Sequence, residues 1–275
     1  MNKFMSEEQN SKFLTALFSI MPVVLLLGID IYTMFLQTEA KAISHFNLGV
    51  LAAQFICSLV FLKGRICNGQ RGRLTQAVMY FAVYWLVWLL LSLFSSYHFI
   101  LTDMLSVAGL LMLFSMWRQP LEPGSRRLML NMGALAGLLG VICFFVQLAE
   151  IPVLHWVQYN FFGQALAGVI LANLLLVISR NRLQSFMALL PLVMSVLLVL
   201  NSIFTLAVLA YGQLGSAVVF ANNFAFVLYF LLHLVMIAIL AFHIFRKAKL
   251  SYNTLMLLLV ISLSLPLWAS FAYLE

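Results

Sequence analysis

The chain has 275 residues, of which 64% are hydrophobic and only 8% are charged. Soluble domains carry roughly 25% charged residues, and a soluble fold of this length could not hide so much apolar surface from water. The composition therefore excludes a soluble protein and predicts an integral membrane protein in contact with a lipid bilayer. The net charge of +7 does not indicate nucleic-acid binding, because the basic residues form small groups between apolar runs.

A membrane-spanning helix needs about 20 mostly apolar residues. Nine such runs follow one another along the chain, separated by short polar connections. They lie at 13–36, 46–62, 76–95, 99–117, 128–148, 161–179, 186–209, 219–245 and 252–272. The sequence therefore predicts an all-α fold, in which residues 1–275 form one polytopic transmembrane helical bundle without a separate soluble domain.

The distribution of Lys and Arg supports this helix count. If nine helices alternate in direction, 14 basic residues fall on one side of the membrane and only Lys41 falls on the other. The larger group comprises Lys3, Lys12, Lys63, Arg65, Arg71, Arg73, Arg118, Arg126, Arg127, Arg180, Arg182, Arg246, Lys247 and Lys249. Because basic loops remain in the cytoplasm, we expect a cytoplasmic N-terminus and a C-terminus on the outer side.

Ionisable side chains are rare within membrane helices, because a charge at the helix centre costs roughly 2.5–3.5 kcal/mol. Asp30 in the first run and Asp103 in the fourth lie at similar depths, roughly 6–9 Å below the outer end. We expect both to line an outward-opening polar cavity and to bind a substrate or a proton. The alternative is that each carboxyl group reaches water at the interface and binds nothing.

His233 lies near the middle of the eighth run, and we expect Asn201 and Asn173 to share its polar layer. A histidine at this depth can relay protons, ligate a haem or form hydrogen bonds within a packed interface. Because the sequence offers no second mid-membrane histidine for a haem, hydrogen-bonded packing is the simpler interpretation. A substrate- or proton-binding role is the alternative.

Four aromatic residues, Phe81, Tyr84, Trp85 and Trp88, share one face of the third helix. Tryptophan is more usual in the interfacial belt than at this depth. A packed core explains the stripe more simply than the alternative, a pocket for a flat or apolar ligand.

Small residues predict where helices approach closely. Gly133 and Gly137 form a small-xxx-small step in the fifth run, and Gly168 and Ala172 form another in the sixth. We therefore expect the fifth and sixth helices to pair tightly.

The chain contains no HExxH, GxSxG or P-loop motif, and its three cysteines form no CxxC pair. The sequence therefore predicts no catalytic residue, no metal site and no cofactor. It favours a transporter or permease for a small molecule in a bacterial inner membrane. The alternatives are a non-catalytic subunit, assembly factor or sensor that binds a partner membrane protein, and an intramembrane enzyme.

Overall fold

The structure is a computed structural model that describes residues 2–36, 41–64, 66–96, 98–181, 183–215 and 222–273. Across these ranges the side chains are described for residues 14–212 and 222–272. Ten α-helices occupy most of the described chain, and the described residues contain no strand. They are α1 (Asn2–Phe35), α2 (Asn47–Lys63), α3 (Asn68–Met79), α4 (Phe81–Phe94), α5 (Ile100–Trp117), α6 (Pro123–Ala149), α7 (Phe161–Ile178), α8 (Gln184–Gly215), α9 (Asn223–Phe245) and α10 (Tyr252–Tyr273).

The predicted all-helical membrane fold is confirmed. Eight helical segments have the length and apolarity to cross a membrane, with α3 and α4 counted together as one, and α2 is a ninth, shorter apolar helix. Several helices extend beyond their predicted bounds; α1 begins at Asn2 rather than near residue 13. The apolar runs mark only the part of a helix that lies in lipid, whereas backbone hydrogen bonding continues into the polar flanks.

Contacts between connections show which helix ends lie together. At one end, Arg73 Nε donates a hydrogen bond to the carbonyl oxygen of Ser179 over 3.1 Å. At the opposite end, Lys41 forms an ion pair with Glu150 over 3.2 Å. These contacts agree with helices that alternate in direction. We call the first the basic end, because the basic clusters lie in its connections, and the other the Lys41 end.

Glycines determine the closest helix pairs, but not the pair predicted from the sequence. On α6, Gly133 and Gly137 pack against Ser115 and Met112 of α5. On α7, Gly168 packs against Gly49 of α2, so closely that a Cβ atom at either position would overlap the backbone of the other helix. The expected pairing of these two small-residue helices with each other was therefore wrong, because a small-xxx-small step shows that a face is flat but does not specify its partner.

The interior of the bundle lies around α2, α4, α7 and α10. The largest fully buried side chains include Trp85, Trp88 and Tyr84 of α4 and Tyr229 of α9. Outer faces of α1, α6, α8 and α9 expose large apolar side chains. Such faces are typical of helices that contact lipid, whereas Asp30, Asn201 and His233 are buried inside the bundle.

Candidate functional site

Residues 42–46, in the connection between α1 and α2, are buried although they are not helical. Ala42, Ile43, Ser44, His45 and Phe46 are each no more than 5% exposed. In a membrane protein, non-helical backbone is tolerated only where other protein groups satisfy its hydrogen bonds. We call residues 42–46 the buried connection.

Two helices hold the first part of the buried connection. The hydroxyl of Thr102 on α5 donates to the carbonyl oxygen of Ala42 over 2.6 Å. Thr102 in turn accepts a hydrogen bond from Gln147 Nε2 of α6 over 2.8 Å. The buried connection is thus fixed to α5 and α6 as well as to the helices it joins.

Asp30 of α1 holds the second part. Its carboxyl group is fully buried and accepts hydrogen bonds from the backbone N–H of His45 over 2.8 Å and from the hydroxyl of Ser44 over 2.5 Å. The His45 ring Nδ1 lies 3.1 Å from the same carboxyl group. Among the described residues, the salt-bridge partner of Asp30 is His45, which is charged only when it is protonated. The pair can therefore be neutral or ionic, depending on its protons.

Tyr84 of α4 completes this arrangement, which we call the Asp30 cluster: Asp30, Ser44, His45, Asn47 and Tyr84. The Tyr84 hydroxyl lies 2.6 Å from Ser44 Oγ, 2.9 Å from Asn47 Oδ1 and 3.3 Å from Asp30 Oδ2. A phenol has one hydrogen, so it can donate to only one of these three oxygens at a time. The cluster can therefore rearrange its hydrogen bonds without moving its heavy atoms far.

A second polar cluster lies among α7, α8 and α9, around His233. Its Nδ1 donates to the carbonyl oxygen of Tyr229 over 2.8 Å, which leaves Nε2 of the neutral ring to accept from Asn201 Nδ2 over 2.6 Å. Asn160, the N-cap of α7, donates through Nδ2 to the carbonyl oxygen of Asn201 and to Thr205 Oγ1, each over 3.2 Å. We call these five residues the His233 cluster. It contains no Lys, Arg, Asp or Glu.

Gln164 of α7 lies between the two clusters. Its Oε1 accepts the backbone N–H of Leu48 over 3.0 Å, just after the buried connection, and its Nε2 donates to the carbonyl oxygen of Tyr159 over 3.2 Å. The Tyr159 ring stacks on the His45 ring, with centroids 4.4 Å apart. Through Gln164, helix α7 thus contacts the backbone of Leu48, directly after Asn47 of the Asp30 cluster, and its N-cap Asn160 belongs to the His233 cluster.

A comparison with known proteins places the chain in a family. A family model described as an integral membrane domain matches residues 9–271. The chain belongs to this family. A relative from Haemophilus influenzae, described as an uncharacterized protein, is 46% identical over 264 residues, which cover 96% of this chain and 99% of the relative. No solved structure matches the chain.

In this member of the family, the predicted site residues separate into groups. Asp30 and Tyr84 share one cluster, and His233 and Asn201 share another. Asp103 does not join Asp30; it pairs with the half-exposed His98, whose Nε2 lies 2.8 Å away. The two aspartates therefore do not line one outward-opening cavity in this structure, since Asp30 is sealed from solvent.

Asn173 and the aromatic stripe also lie apart from these clusters. Asn173 is buried in α7, about 20 Å along the helix from Asn160, so it does not share the layer of His233. Phe81, Trp85 and Trp88 are fully buried, and the Trp85 ring packs directly on Gly109 of α5. These three rings belong to the packed hydrophobic core.

Sequence reasoning did not identify Ser44 or His45 as part of this site, because the connection looks like an ordinary polar loop between two apolar runs. The available signal was the depth of Asp30, which lies five residues before the end of α1 at Phe35. A carboxyl group at that depth needs donors, and the following connection can supply them only by folding inward.

We predict that Asp30→Ala destabilises the protein more than Asp103→Ala. Loss of the Asp30 carboxyl group leaves the Ser44 hydroxyl and the His45 N–H without their acceptor, at about 1–3 kcal/mol for each buried group. Asp103 pairs with a half-exposed histidine, so its loss should cost little. Thermal unfolding of the two purified variants in detergent measures the difference, and equal shifts would contradict this role of Asp30.

Proposed function

We propose that this protein is a small-molecule transporter or permease of a bacterial inner membrane, and that the Asp30 cluster binds the proton or cation that drives or accompanies transport. The observation that carries the proposal is a fully buried carboxyl group, within a membrane-spanning helix, that is surrounded by hydroxyl groups and a histidine. Ionisable groups at such positions commonly mark substrate or proton paths.

The chemistry of the cluster suits a group that gains and loses a proton. An ionised Asp30 accepts from Ser44 and from the backbone of His45. A protonated Asp30 can instead donate to the Tyr84 or Ser44 oxygen after a hydroxyl hydrogen rotates. Both forms are thus hydrogen-bonded in the same heavy-atom arrangement. A purely structural acceptor needs no charge, and asparagine would serve at a lower cost of burial.

Prolines lie inside three helices, α1, α8 and α10, each of which continues through its proline. Pro22 lies eight residues before Asp30 in α1, Pro191 lies ten residues before Asn201 in α8, and Pro266 lies in α10. Proline removes a helical hydrogen bond and permits bending, and transporters often use broken helices around their binding sites. These positions favour a mechanism in which helix bending opens the closed Asp30 cluster.

The orientation is part of the proposal. We infer that the basic end faces the cytoplasm, so that the N-terminus is cytoplasmic and the C-terminus lies on the outer side, because 14 of the 15 Lys and Arg residues belong to that end in the alternating arrangement. The Asp30 cluster then lies nearer the outer surface. The bacterial origin of the 46% identical relative agrees with an inner-membrane location.

We predict that Asp30→Asn abolishes transport while the protein stays folded. A ligand at 100 times its dissociation constant stabilises the folded state by about 2.7 kcal/mol, so thermal unfolding against a panel of metabolites, ions and quinones identifies the substrate class. Uptake of that substrate is then measured in proteoliposomes. The Asp103→Asn variant is the matched control and should retain uptake. Wild-type uptake by folded Asp30→Asn would remove Asp30 from the mechanism.

Cys67 tests the orientation. It is exposed at the basic end, directly before α3, and a hydrogen bond from the backbone N–H of Gln70 lowers the pKa of its thiol. The lower pKa increases the thiolate fraction near neutral pH, which speeds reaction with maleimides. In a Cys57→Ser, Cys143→Ser variant, we expect a membrane-impermeant maleimide to label Cys67 in inverted vesicles but not in intact cells.

A matched control uses the other end of the bundle. When Cys67→Ser is added and Lys41, an exposed residue, is replaced by cysteine (Lys41→Cys), intact cells should be labelled. The reverse pattern for the two variants would contradict the proposed orientation.

A further inference from the structure

A small cavity lies beside the His233 cluster, where α7, α8, α9 and α10 meet. Its volume of about 10 Å³ is close to the space that one water molecule requires. The lining residues are Val157, Gln158, Asn160, Gly163, Gln164, Asn201, Tyr229, Ser262, Leu265 and Pro266. None of the ten carries a formal charge, so the cavity suits a neutral occupant.

Two buried polar atoms on its lining residues have no hydrogen-bond partner in the described part of the chain. They are Asn201 Oδ1, on α8, and Ser262 Oγ, on α10. The side chains of both residues are almost completely buried, at 1% and 2% exposure. Unpaired polar groups are costly away from water, and buried polar atoms in proteins are usually satisfied, often by ordered water.

Pro266 and Gly163 provide a hydrogen-bond acceptor and open space in the cavity. Pro266 has no N–H, so it cannot donate to the carbonyl group of Ser262 one turn earlier, and that oxygen remains a further acceptor. Gly163 has no side chain, and a Cβ atom at its position would lie 3.1 Å from Asn201 Oδ1. The glycine thus keeps open the space in front of the unpaired amide oxygen.

We propose that this cavity binds one ordered water molecule, which donates to Asn201 Oδ1 and hydrogen-bonds with Ser262, so that it joins α8 to α10. A water molecule in a polar cavity makes about three hydrogen bonds, and the lining supplies at least that number of candidates. Asn160 and Tyr229 of the His233 cluster also line the cavity, and the Tyr229 hydroxyl lies 3.1 Å from Thr205 Oγ1.

The bound water lies between the two polar clusters. Gln164 lines the cavity and contacts Tyr159 and Leu48, next to the Asp30 cluster, while Asn201 contacts His233. A role for this water in proton movement rests on the proposed function, whereas the water site itself does not.

The sign of a stability change tests the site. If the cavity is dry, the Ser262 hydroxyl is an unpaired buried group, and Ser262→Ala should leave the Tm unchanged or raise it. If water is bound, the variant loses a hydrogen bond to it, and we expect the Tm to fall by about 2–4 °C. Ser264→Ala is the control on the same helix, because the Ser264 hydroxyl donates to the carbonyl oxygen of Ile261 within α10; its Tm should change less.

A second variant tests whether the two residues share one water. Gly163→Ala places a methyl group against Asn201 Oδ1 and should displace the water, so Ser262→Ala added to it should cause no further fall in Tm. Equal falls in both backgrounds, or an unchanged or raised Tm for Ser262→Ala alone, would overturn the proposal. A sodium effect would also overturn the proposal. If the Tm of wild type rises when sodium replaces choline in the buffer, and that of Ser262→Ala does not, the occupant is a cation. If Gly163→Ala does not fold, the sign of the Tm change of Ser262→Ala alone decides.

Discussion

The carboxyl group of Asp30 stabilises a stretch of non-helical backbone inside a protein whose surroundings offer no water. The buried connection between α1 and α2 contains amide and hydroxyl groups without helical hydrogen-bond partners. Each would cost several kcal/mol if it stayed unpaired in a membrane. Asp30 accepts from two of them, and Thr102 donates to a third. Because α2 begins directly after this connection, the same hydrogen bonds determine where α2 enters the bundle. The position of α2 in turn determines the glycine contact with α7.

Helix α7 connects the position of α2 with the His233 cluster. It packs backbone to backbone against α2 at Gly168, it contacts the start of α2 through Gln164, and its N-cap Asn160 binds α8. A displacement of the buried connection would therefore act on the His233 cluster through one rigid helix. This coupling is the physical basis for treating two separate polar clusters as parts of the proposed transport mechanism, although six helices, α1, α2, α4, α7, α8 and α9, contribute to them.

Much of this architecture can be predicted from the sequence, because a lipid bilayer restricts the length and composition of the helices that cross it. Runs of about 20 apolar residues and grouped basic residues are sufficient to predict the helices and the two ends of the bundle. The sequence also marks Asp30, Asn201 and His233 individually, as polar groups within membrane-spanning runs, and Tyr84 as a member of an aromatic stripe. The hydrogen bonds among them are tertiary contacts between helices far apart in the chain, and no spacing rule encodes those.

The two errors in helix partners and site grouping have the same origin. Gly133 and Gly168 each identify a flat helix face, but the partners, α5 and α2, depend on how all the helices pack. Asp30 and Asp103 lie at similar depths in the sequence prediction, yet Asp30 pairs with the buried His45 and Asp103 with the half-exposed His98, since depth along the membrane normal carries no information about lateral position. The inward fold of the buried connection is signalled only indirectly, by the depth of Asp30, because Ser44 and His45 resemble ordinary loop residues.

The central claim is that Asp30 changes its protonation or ligation state, rather than serving only as a fixed acceptor. Infrared difference spectroscopy of the purified protein measures this directly, with Asp30→Asn used to assign the carboxyl band. The account predicts a carboxyl band that changes with pH, or with bound ligand, in wild type and in Asp103→Asn, and that is absent from Asp30→Asn. If no such band changes over the pH range in which the protein stays folded, and none responds to ligand, Asp30 is a structural acceptor alone and the proposed transport site is wrong.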